Sequence, residues 1–263
     1  MKQRVEIKNE LLYLFLILLV TVYFAYTTHT PNQTYILSGV VGILLILTWF
    51  IRAFTLYSGR KISQYSEVIQ RISLKERFFT NFVLPVLFYV SLLFFIYYNT
   101  SFLMDMVLIL ISLLLLLILF INVKSSFKKV YSIEVQTRAV FDFICIASFY
   151  MILSVLIRLS FSIWLSVLLI TLFSLIFFWS DIKIHRKESL SALTISLISS
   201  LFVAMTSCIF FNTNIFVVPA IGTLAFYLIL SLWNIRFMGK IKLVDYIPPF
   251  IYSVLALILI LNI

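Results

Sequence analysis

Nine long apolar runs, at residues 11–27, 35–51, 78–98, 106–123, 139–157, 160–180, 190–211, 215–233 and 247–263, make up most of this chain. Each approaches the roughly 20 residues that a helix rising ~1.5 Å per residue needs to cross a ~30 Å hydrocarbon core. Water cannot be the solvent for so many. The chain is 63% hydrophobic and 11% charged, with a mean hydropathy of +1.14, where a soluble domain is about half apolar and a quarter charged. Its 263 residues leave room for about nine or ten crossings with short connections and for little else.

In lipid, backbone polar groups are satisfied within helices or within closed barrels. Barrel strands alternate apolar and polar residues over about ten positions, whereas residues 113–120 are an unbroken apolar stretch inside a longer run. The expected fold is therefore all-α: a polytopic transmembrane helix bundle of about nine spans, with eight to ten possible. It forms one membrane domain over residues 1–263. The basic lead before residue 11 and the bulky run after it resemble a signal peptide, but no small-residue cleavage site follows, so this segment is expected to be an uncleaved first helix.

The net charge of +10 would point to nucleic acid on a soluble surface. Here the basic residues sit between apolar runs, where they set topology and meet anionic lipid heads. Of the 20 Lys and Arg, 19 fall in the N-terminal tail and alternate connections, and Arg158 is the exception. That segregation implies a cytoplasmic N-terminus and short outer turns at residues 28–34, 99–105, around 158 and at 212–214. A plasma or bacterial inner membrane is expected. The implied partners are a bilayer with anionic heads on its cytoplasmic side and a possible membrane-protein partner, and nucleic acid is excluded.

The longest connection, residues 52–77, carries six basic residues and an apolar stripe of Ile62, Tyr65, Ile69 and Ile72 at helical spacing. Residues 58–77 are therefore expected to be an amphipathic cytoplasmic interfacial segment that includes a helix within residues 59–75, with Lys61, Arg71, Lys75 and Arg77 against lipid heads. Asp142 is the one acid inside a predicted span. Intramembrane ionisable groups are functional candidates, but Glu134, Arg138 and Asp142 recur at i, i+4, and a boundary ladder of charges accounts for all three. Asn81 and Asn122, at equivalent depths in the third and fourth spans, are candidates to tie helices together. Ala192, Ser196, Ser200 and Ala204 form a small-residue row suited to close helix packing, which places the seventh span inside the bundle. Pro85 and Pro219 are candidates to kink their helices.

Cys145 and Cys208 lie within apolar runs and read as small hydrophobes. His29 and His185 stand in separate connections and read as solvated loop residues. Clustered carboxylates, Gly-rich phosphate loops, metal-ligand spacings and nucleophile motifs are all missing from the sequence. No catalytic, cofactor or metal residue is assigned. A non-catalytic membrane scaffold or assembly partner fits that pattern best. The alternatives are a carrier of a small hydrophobic or lipid-like solute, favoured by a cavity among spans five, seven and eight, and an enzyme on a membrane-embedded substrate, favoured by acids or histidines converging at one face.

Overall fold

A computed structural model describes residues 2–30, 34–57, 59–61, 69–71, 78, 82–127, 135–184, 189–211, 214–237, 239 and 242–262. Among them are nine α-helices: α1 (Lys2–Thr28), α2 (Tyr35–Tyr57), α3 (Leu84–Tyr97), α4 (Phe102–Phe127), α5 (Val135–Arg158), α6 (Ile163–Ile184), α7 (Ser189–Ile209), α8 (Val217–Phe237) and α9 (Ile247–Leu261). Eight helical segments are long and apolar enough to cross a membrane, so the all-α polytopic bundle stands. The exception is α3, whose 14 residues rise only about 21 Å; a π turn at Phe82 and Val83 precedes it. A 3-10 turn, Leu243–Tyr246, lengthens α9 at its start.

Residues 59–61 and 69–71 depart from expectation. They are not helical but pair as short antiparallel strands, β1 (Gly59–Lys61) and β2 (Ile69–Arg71), with Gly59 opposite Arg71 and Lys61 opposite Ile69. Gly59, just past the end of α2, favours a stop of the helix, and the pairing of β1 with β2 satisfies backbone groups of these residues. Lys75, Arg77 and the stripe residues Ile62, Tyr65 and Ile72 lie outside the described residues.

The prolines also act differently from expectation. Pro85 is the second residue of α3 and Pro219 the third of α8. In a first turn the missing N–H has no intrahelical partner to lose, so both mark starts rather than kinks.

The helices gather into two compact units, Met1–Ile144 and Cys145–Ile263, the division falling within α5. In the first, α1 lies against α2, α3 and α4. Its interior is aromatic: Trp49, 2% exposed, stacks between Tyr13 and Phe120 at ring separations of 6.5 and 4.3 Å. This tryptophan is packed into the interior of the unit. Nearby, Lys124 donates to Glu10 Oε1 at 2.8 Å, joining α4 to α1.

Three helices of this unit also meet through one small residue. Thr21 Oγ1 donates to Ile17 O at 2.6 Å, so the Tyr89 hydroxyl must donate to Thr21 Oγ1, 2.9 Å away. The Tyr89 ring lies where a side chain at position 42 would be, and only glycine leaves room.

In the second unit α6 and α7 form the most extensive helix pair. Ala192, Ser196, Ser200 and Ala204 are all fully buried there, while Leu190, Ile198, Phe202 and Met205 on the opposite side of α7 are exposed. The seventh span is thus two-faced, with small residues inward and bulky apolar ones outward, and is not enclosed on all sides. Small side chains let backbones approach, and bulky ones suit lipid tails. Phe149, Phe177, Phe178 and Phe226 fill the interior, Phe149 and Phe226 stacking at 4.8 Å. The α5–α6 turn is tight, as its sequence implied, and Ser160 adopts a left-handed φ of 50° to make it.

Candidate functional site

The most built polar cluster among the described residues stands where α1 ends and α4 begins. The run Thr27-Thr28-His29-Thr30 closes α1 on itself: Thr27 donates to Tyr23 O and Phe24 O, Thr28 to Ala25 O and Thr30 to Thr27 O, at 2.8–3.0 Å. The bonds to Ala25 O and Thr27 O engage carbonyls among the last four that a helix end leaves open, and His29 stands just past the C-terminus. On the other side, Asp105 lies in the first turn of α4, where the helix dipole favours a negative charge.

The Asp105 carboxylate is fully buried. His29 Nε2 donates to Oδ2 at 2.9 Å and Asn99 Nδ2 to Oδ1 at 2.7 Å. Because a carboxylate only accepts, these bonds fix the proton of His29 on Nε2 and the orientation of the Asn99 amide. The His29 side chain is 30% exposed, and its ring meets Phe102 edge-on.

Beside this cluster runs an open groove of about 280 Å³ among α1, α2 and α3. Phe24 and Gly39 line it, Val40 and Phe94 form exposed parts of its wall, and Tyr35, Tyr97 and Tyr98 stand along it. The rings of Tyr35 and Tyr97 meet at 5.3 Å. Asn99 directly follows Tyr98, so the polar cluster and the apolar groove share the C-terminal end of α3. The combination is amphipathic: an aromatic slot about the size of the smaller ligand sites, whose Tyr98 is followed in the chain by Asn99, one of the two donors to the buried Asp105 carboxylate.

The groups singled out from sequence lie elsewhere. Arg138 and Asp142 are one turn apart on α5, with Arg138 Nε and Asp142 Oδ1 shielded from solvent, while Glu134 is outside the described residues. Asn81 is also outside them. Asn122 donates to Ile118 O at 2.8 Å within its own helix, so its amide nitrogen turns back on α4 instead of reaching a neighbour. Lys61 and Arg71 lie on β1 and β2.

His29 is not the solvated loop residue that its sequence position implies, and Asp105, at the end of an outer turn in sequence, is buried against it. The signal was nevertheless present. Across residues 28–34 and 99–105 these two are the only Asp, Glu, Lys, Arg or His, so each is the other's only charge partner there. Among the described residues no group of three His, Cys, Asp or Glu could hold a metal ion.

Fold and site together define a multi-pass helical membrane protein with an amphipathic groove at one end of its first unit. No protein-family model, curated protein or solved structure matches the chain.

Proposed function

We propose that this protein binds a lipid-like amphiphile in the groove of its first unit and belongs to the carrier class rather than being a bare scaffold. The observation that carries this reading is an apolar slot, walled by Phe24, Val40 and Phe94, whose Tyr98 leads into the polar cluster of Asn99, Asp105 and His29. A helix bundle needing only to pack would close such a slot, since interiors are filled to crystal-like density, and would gain nothing from burying a carboxylate beside it. The groove lies among the first three helices, not among spans five, seven and eight. With the orientation that the basic residues imply, the cluster faces outward, at the depth of the outer headgroups.

The test is chemical. Protein purified with exhaustive detergent exchange should retain about one lipid-like molecule per chain, detected by mass spectrometry of an organic extract. Val40→Trp, which fills the slot, should retain none at unchanged thermal stability. Equal retention by both proteins rejects the reading.

A scaffold role draws on α9, of whose span 6% is buried and which packs on α8 and the turn before it. It is favoured if a membrane protein co-purifies and is lost when residues on the open side of α9, such as Leu255 and Leu259, are changed to Ala.

A further inference from the structure

The polar cluster also constrains the head of the amphiphile. This step rests on the reading that the groove holds an apolar chain. No Lys or Arg occurs between Lys8 and Arg52, or between Arg77 and Lys124, so the connections that meet at this end of the first unit bring no permanent cation. The Asp105 carboxylate is fully buried and held by two donors. With His29 neutral this end carries one negative charge; with His29 protonated it carries none. In neither state is there a net positive charge to receive a phosphate, which lipid-head sites supply through clustered Lys or Arg.

Hydroxyl chemistry, by contrast, is well matched. With its Nε2 proton on Asp105, a neutral His29 presents Nδ1 as a bare acceptor. A head-group O–H can donate to it, while a phosphate oxygen, itself an acceptor, cannot. Tyr35 and Tyr97, side by side along the groove, add phenolic hydroxyls that both donate and accept. From the groove, Tyr98 leads directly to Asn99 and so to the carboxylate. We propose that the ligand is an uncharged, hydroxyl-headed amphiphile, its chain in the groove and its hydroxyl at His29, and that the Asp105 charge disfavours phosphorylated heads.

The experiment uses the full chain in nanodiscs of uncharged lipid, with two photoreactive probes that share one diazirine-bearing alkyl chain. One ends in an alcohol and the other in a phosphate monoester. Crosslinks are mapped by mass spectrometry to peptides containing Val40 or Phe94. The alcohol should label these positions severalfold more than the phosphate, because the buried carboxylate repels the phosphate's negative charge. Asp105→Asn, which removes the charge and keeps the shape, should bring the two probes to near-equal labelling. His29→Arg, at the partly exposed position, should do the same while leaving the buried carboxylate in place.

Equal labelling of the wild type by both probes overturns the head assignment while the groove reading survives. A preference unchanged in both variants overturns the role of Asp105. Absence of groove labelling by either probe removes the groove reading, and the head assignment with it.

Discussion

Gly42→Ala is the substitution for which the structure makes the sharpest energetic statement. An added methyl would meet the Tyr89 hydroxyl oxygen, and would lie 2.7 Å from both Cε1 and Cζ of the ring, where carbon atoms at their energy minimum sit about 3.5–4.0 Å apart. Tyr89 is fully buried, and its hydroxyl is fixed on Thr21, so the ring cannot swing aside without losing that bond. Overpacking of this kind costs about 1–3 kcal/mol, and an interhelical hydrogen bond inside a membrane about 0.6 kcal/mol. Alanine's better helix propensity returns at most about 1 kcal/mol. The net expectation is a destabilisation of about 1–3 kcal/mol, read from the midpoint of unfolding as SDS is added to mild-detergent micelles. Gly39→Ala, three residues earlier on the same helix, is the internal control. Its methyl would approach Leu93 and Phe24 no closer than 3.4 Å, so it should be neutral or slightly stabilising. If Gly42→Ala and Gly39→Ala unfold together at or above the wild-type midpoint, the three-helix junction of Thr21, Gly42 and Tyr89 is wrong.

Other outcomes follow from the same reasoning. Gly222→Ala should destabilise the second unit by about 1–3 kcal/mol in the same assay, because its methyl would press on Leu153 and lie 2.5 Å from the buried Ser207 Oγ. Ser160→Gly relieves a left-handed backbone and should raise the midpoint by the equivalent of up to about 1 kcal/mol. Asp142→Asn, judged by abundance and by ligand retention together, should leave both unchanged, since the amide keeps the side chain's shape and its oxygen can still accept from Arg138 one turn away. A fully abundant Asp142→Asn protein that retains no ligand would move the site to α5.

The helices were legible in the sequence because the bilayer imposes one length on all of them, and a run such as residues 106–123 can satisfy its backbone in no other way. Their exact reach was less so. Residues 52–57 continue α2 beyond the apolar run because nothing before Ser58-Gly59 breaks the helix. The site was harder to see. His29 and Asp105 are 76 residues apart, and no spacing rule links residues brought together by antiparallel helices. Asp142 drew attention by lying inside an apolar run, whereas Asp105 lay at the edge of one and looked solvated. What buries Asp105 is the packing of the ends of α1, α3 and α4, which hydropathy does not record. The small-residue row on α7 named the residues of one face but not what covers the other, because periodicity identifies faces and not neighbours.

The proposed ligand of the first unit is an amphiphile lying in the slot of Phe24, Val40 and Phe94, with its head toward the His29–Asp105 pair. A cryo-electron microscopy map of the protein in nanodiscs, made rigid with a bound antibody fragment, tests it most directly. The account predicts continuous, chain-like density along Phe24, Val40 and Phe94, ending within hydrogen-bonding distance of His29. A groove closed by its own side chains, or His29 turned away from Asp105 with no ordered density between α1, α2 and α3, would contradict it.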